Sequence, residues 1–183
     1  MRADAKKNYD HLLKIAQEVV QEQGADASLR DVARRAGVGI ATLYRHFPTR
    51  EDLLAVLLRD RFDDVTARAT ASGDAQPAGE ALVSWLRDMV ALTRDHRGVL
   101  AAMATAIEDE RSALHASCVS LKASGARLLA RAQADGQARA DLDGVDLLAL
   151  VSALAWLNDQ PPFAARGDHL FRVIADAILS TLA

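Results

Sequence analysis

The chain has 183 residues, half of them hydrophobic and 26% charged, with a net charge of −3, as in an ordinary soluble globular protein of one or two domains. No apolar run reaches the roughly 18–20 residues that a bilayer span requires, and the N-terminus MRADAKK lacks an apolar signal core. Frequent Ala, scarce Pro and no β-branched alternation favour an all-α fold, and the single Cys118 excludes an internal disulfide and fits a reducing cytoplasm.

Charge is unevenly distributed. Residues 1–50 hold nine Lys/Arg against six Asp/Glu, whereas residues 51–183 hold thirteen against nineteen. A basic N-terminal third on an acidic body points to a local surface for DNA.

The first helix is expected over residues 8–23, with Leu12, Ala16, Val19, Val20 and Gln23 on its inner side and Gly24 ending it. Ser28 is placed to cap the second helix, with Asp31 as capping-box partner. Leu29, Val32, Ala33 and Ala36 then share one face, and Ala36-Gly37-Val38-Gly39 forms a turn in which Gly37 supplies the left-handed residue. In the short third helix Leu43 and Phe47 pack back onto the second. Ile40, Ala41, Thr42, Tyr44, Arg45 and His46 are left to face outward. Small residues at the front of a helix and hydroxyls and cations behind suit a DNA groove.

Pro48 stops that helix, and Thr49 with Asp52 repeats the capping arrangement before a fourth helix. This helix carries Leu54, Leu57, Leu58, Phe62 and Val65 to about residue 71 and links the DNA motif to the body. After a loop at 72–79 a fifth helix bears Leu82, Trp85, Leu86, Met89 and Val90 on one stripe. A sixth from Arg97 includes Val99, Leu100, Met103 and Ile107. A seventh over about 112–136 carries Leu114, Cys118, Leu121, Gly125, Leu128 and Ala132. Asp143 and Asp146 cap an eighth, in which only Ser152 is polar between Leu147 and Leu157. The ninth, over 169–182, has Leu170, Phe171, Val173, Ile174, Ala177, Ile178, Leu179 and Leu182, again wider than one stripe. A helix apolar all round needs cover on both sides. A dimer interface through Leu147, Val151, Leu154, Phe171, Ile174 and Ile178 is therefore expected, as a four-helix bundle from two copies.

The run LRDVARRAGVGIATLYRHFPTREDLL at residues 29–54 resembles the DNA-binding motif of the TetR family of bacterial transcriptional regulators, including Thr42-Leu43-Tyr44 and the aromatic pair His46-Phe47. Arg50 stands where Lys is more usual. Gly39 stands where Ser or Thr usually precedes the recognition helix; it caps a helix almost as well but loses any contact from that side chain. The resemblance implies a helix-turn-helix domain at 1–48 and a helical ligand-binding and dimerisation domain at 49–183, about nine helices in all. It also implies a homodimer on double-stranded operator DNA, most simply a repressor. Thr42, Tyr44 and His46 match the family's phosphate-contacting positions, and Ile40 and Ala41 lie where base edges are approached. Arg45 fits either role, and Ser28, Arg30 and Arg50 sit at helix starts placed near the backbone. Arg2, Lys6 and Lys7 form a possible flanking arm.

The resemblance further implies an apolar effector pocket in the body, for which Trp85, Met89, Met103, Cys118, Leu121, Trp156 and Phe163 are candidates. Each also suits plain core packing, and His115, Asn158 and Asp159 are polar groups nearby. His115 and Cys118 at i and i+3 are too few ligands for a metal site. No catalytic triad, carboxylate pair or phosphate loop is visible, so neither enzyme, metal nor cofactor is expected. A DNA-binding protein with no small-molecule effector is the alternative reading.

Overall fold

The computed structural model describes residues 2–179, which form eleven α-helices and one 3-10 turn, with no strand among them. Leu182 lies outside the described residues. The helices are α1 (Arg2–Gln23), α2 (Leu29–Ala36), α3 (Ile40–His46), α4 (Arg50–Ala75), α5 (Ala78–Asp95), α6 (Arg97–Ala102), α7 (Ala104–Glu108), α8 (Ala113–Ala134), α9 (Gly144–Asn158), α10 (Pro161–Ala164) and α11 (Gly167–Ile178), with the 3-10 turn at Gly24–Asp26. They divide into two compact units, residues 1–60 with 96–115, and residues 61–95 with 116 onward. This division differs from a boundary at residue 48. The first turns of α4 stay with the N-terminal helices, and α6 and α7 join them.

Two helices exceed the nine expected. The sixth breaks into α6 and α7 at Met103, whose φ of −99° and ψ of 8° leave the helical region. The Pro-Pro pair at 161–162 opens the one-turn helix α10, where a missing N–H costs nothing. α4 continues four residues past the expected end at 71 because the Arg131 guanidinium donates to the carbonyls of Gly73 and, at 3.0 Å, Gln76. A side chain 55 residues away thus satisfies carbonyls that a helix end leaves unpaired. α1 begins at Arg2 and takes in the segment expected to be an arm.

In the first unit, the cap of α2 is only half the expected box. Ser28 Oγ accepts from Asp31 N–H at 3.4 Å, but Ser28 N–H donates at 3.0 Å to Gln23 Oε1 instead of to Asp31. The Asp31 carboxylate is engaged by Arg34, Arg35 and Gln23, and these partners, Arg34 foremost, hold its pKa below the ordinary value. The box at Thr49 and Asp52 is complete, each side chain accepting the other's backbone N–H at 3.0–3.1 Å.

In the second unit, α5, α8, α9 and α11 bury one another's apolar faces through Leu82, Trp85, Leu121, Leu147, Val151, Leu154 and Ile178. Trp85 is the largest of these. Its Nε1–H donates to Ser124 Oγ at 3.0 Å, and Ser124 Oγ donates on to the Leu121 carbonyl at 2.7 Å. The indole then lies across Gly125, where any Cβ would overlap the ring. The capping box of α9 is complete. Asp143 Oδ1 accepts from Val145 and Asp146 N–H, and Asp146 Oδ2 accepts from Asp143 N–H.

Gly125→Ala should therefore force the indole aside and strain its bond to Ser124. A loss of about 1–3 kcal/mol, the range for overpacking a filled core, should appear as a lower melting temperature. A melting temperature unchanged in calorimetry would show that the packing of the indole on Gly125 is slack.

Candidate nucleic-acid interface

The candidate recognition element is α3, seven residues long and therefore unable to persist as a helix by itself. Two anchors hold it. Leu43 is 0% exposed and Phe47 1%, each stabilising by roughly 1.5–3 kcal/mol through burial. The turn before it depends on Gly37 at φ +67°, whose N–H and that of Val38 bond back to Arg34 and Ala33 carbonyls at 3.3 and 3.0 Å. Most other residue types would be strained in that left-handed conformation.

With those anchors inside, the helix turns Ile40, Ala41, Tyr44, Arg45 and His46 outward and leaves Thr42 half-buried. Arg45 donates to Thr42 Oγ1 at 3.0 Å, so the cation is positioned and not free-swinging. Gly39, at φ −64° and ψ 138°, caps α3 without any side-chain bond. A shallow depression brings together Ser28, Arg30, Tyr44 and Arg50, with Asp26, Ala27, Leu29 and Glu51 completing its lining. Arg50 rests 3.3 Å from both Asp26 and Glu51, while its Nε is buried without a partner. A guanidinium left part-satisfied beside a hydroxyl and a second cation suits a phosphate oxygen.

One participant lies outside the expected set. The Tyr9 ring of α1 stands 5.4 Å from His46 and 6.0 Å from Phe47, buttressing the C-terminal end of α3. Burial, and then the nearby Asp60, raises its phenol pKa. The sequence does carry a signal for it, because Tyr9 precedes Leu12 and Ala16 by three and seven residues and so shares their inner face.

The candidate body residues fall in both units and differ in burial. Trp85, Met89, Cys118 and Leu121 are buried in the second unit and Met103 in the first. Trp156 and Phe163 are 56% and 41% exposed. Among the interface candidates, Leu147, Val151, Leu154 and Ile178 are at most 2% exposed inside the protomer, and Phe171 and Ile174 are half-buried. This corrects the assignment of the first four alone: a side chain already in its own protomer's core presents nothing to a partner, whereas Phe171 and Ile174 keep part of their surface exposed. The exposed apolar positions lie on the opposite faces, Val145, Ala149, Ala153 and Trp156 of α9 and Val173 and Ala177 of α11. His115 Nδ1 lies 2.7 Å from the Ile107 carbonyl, a local structural bond. Among the described residues there is no cluster of metal-ligating side chains and no helix long and apolar enough to cross a membrane.

An all-helical chain with a buried-anchor helix-turn-helix and an outward row of polar and cationic side chains defines a DNA-binding regulator. Comparison with known proteins agrees. The family described as bacterial regulatory proteins, tetR family, matches residues 12–57, and the transcriptional regulator SbtR-like, C-terminal domain, matches residues 77–178, more than half of the chain. The protein belongs to the TetR family of bacterial transcriptional regulators. A TetR regulatory protein from Mycobacterium vanbaalenii is 30% identical with a TM-score of 0.71, covering 98% of this chain and 99% of that one. A TetR regulator from Streptomyces coelicolor is 28% identical with a TM-score of 0.74, over 94% and 98%. An HTH-type transcriptional regulator of Staphylococcus aureus (strain USA300) is 36% identical over 64 residues, and the chain spans only 35% of that relative's length.

Arg30→Ala should weaken binding to all DNA sequences alike and lower the slope of log affinity against log salt by about 0.9 for each phosphate no longer neutralised. Ile40→Ala should instead alter which sequence is preferred. Fluorescence anisotropy across a salt series separates the two, and an Arg30→Ala effect confined to one base sequence would contradict the assignment.

Proposed function

We propose that this protein is a homodimeric repressor that binds double-stranded operator DNA through α3 and leaves it when a small molecule occupies the second unit. The observation that carries the reading is the pairing of an exposed recognition surface with unpartnered apolar rows on α9 and α11. Val145 is 73% exposed and Val173 50%, and together with Trp156 they form surface that solvent does not favour. A second copy would cover it and bring two recognition helices to one face of a duplex, one helical turn apart or a multiple of it.

Support for ligand response comes from the second unit, which holds a cleft of about 720 Å3, the size of a small-molecule site. Helix α4 belongs to both units, so a ligand that biases its position changes recognition-helix spacing by population shift. The effector-free reading draws support from the packing around Trp85, which leaves no room in that part of the core.

Selection from random DNA should enrich an inverted repeat with half-sites about 10 base pairs apart centre to centre, or a multiple. Enrichment of unpaired half-sites, or of nothing, would defeat the dimeric operator reading. The double variant Trp156→Arg/Val173→Arg should remain helical by circular dichroism yet sediment as a monomer. Leu154→Arg should unfold the protomer instead, because that site is internal. A folded dimer of the double variant would place the interface elsewhere.

A further inference from the structure

The cleft of the second unit has an unusual lining. Arg87 and Arg94 come from α5, Arg172 from α11, and a single carboxylate residue, Asp168, stands among them. These three guanidiniums share one cleft in a body whose net charge is negative, so overall basic composition does not account for them. Arg94 is already held by Asp95 at 2.8 Å. Among the described residues the other two are not paired with a carboxylate. Arg87 lies 4.9 Å over the Phe171 ring, and Arg172 donates to the backbone carbonyl of Asp168 at 3.3 Å. That cation–π contact holds the Arg87 guanidinium against an aromatic face without using up its N–H donors. Asn158 also lines the cleft. The remaining wall is apolar, from Val90, Ala91, Ala164 and Ala165.

We infer that this cleft binds an amphiphilic organic anion, a carboxylate with an acyl or aryl body. Arg87 and Arg172 take the headgroup, and the alanine and valine wall takes the tail. Guanidiniums match a carboxylate in geometry and charge, and the adjoining apolar wall of Val90, Ala91, Ala164 and Ala165 orients the rest of such a molecule. A neutral apolar ligand would leave the arginines unsatisfied on becoming covered, which disfavours it. The inference rests on the reading that the second unit receives a ligand, and it names the class of that ligand.

The test uses the intact protein and three probes of equal chain length: sodium decanoate, 1-decanol and decyltrimethylammonium. Decanoate alone should raise the melting temperature, with saturable binding in calorimetry. Arg87→Ala/Arg172→Ala should remain folded, since both side chains are exposed, and should bind decanoate about tenfold or more weakly, as removal of one charge-assisted hydrogen bond or more requires. Arg127→Ala, an exposed arginine of α8 outside the cleft, should bind it normally. Equal stabilisation by decanol or decyltrimethylammonium, or full decanoate affinity in the double variant, overturns the inference. A separate arm adds decanoate to the protein bound to its selected DNA. Release of DNA supports the ligand-responsive function. Binding without release defeats that function and leaves the anion site standing, so the two failures are told apart.

Discussion

The burial of Leu43 and Phe47 is the constraint on which the recognition surface depends. A seven-residue helix has too few internal hydrogen bonds to offset its nucleation cost. Its direction is therefore set by two side chains, held against the second helix on one side and against Tyr9 on the other. Gly37 lets the chain reverse tightly enough to bring them there. With both anchors at the floor of the unit, the 3.6-residue period dictates that Ile40, Ala41, Tyr44 and Arg45 emerge together on the far side. Recognition chemistry is thus a consequence of core packing: the exposed row is what remains once the buried row is satisfied.

The electrostatics of this surface are restrained by neighbours. Arg35 is engaged by Glu22 and Asp31, at 2.7 and 3.0 Å, and Arg50 by Asp26 and Glu51. These exposed pairs contribute little to stability. Their effect is on position, because each keeps a long cationic side chain close to the surface. Among the described residues the Arg30 side chain has no such tie, although it lines the same depression. A surface of tethered and untethered cations can hold a duplex backbone at several points without presenting one undivided field of positive charge.

The second unit solves a different problem. Its α9 is apolar around nearly its whole circumference, and the protomer buries only one side of it. Trp85, Ser124 and Gly125 pack closely in the interior, and a cleft opens at the edge, where α5 meets the ends of α9 and α11. An edge cleft takes its polarity from whatever side chains flank it, and here those are arginines.

What the sequence determined by itself is local. Helix starts at Ser28, Thr49 and Asp143, the left-handed turn at Gly37 and the outward face of α3 follow from hydrogen-bonding geometry within a few residues and from a period that any helix obeys. The all-α class and the division of surface in the recognition helix were legible for that reason. The tertiary structure decided what depends on partners distant in the chain. Arg131 extends α4 past residue 71, Gln23 displaces Asp31 from the cap of α2, and Tyr9 supports His46. It also decided which side of α9 faces inward. With apolar residues all round, periodicity cannot distinguish Leu154 from Trp156, and only packing against α5 and α11 buries the first and exposes the second.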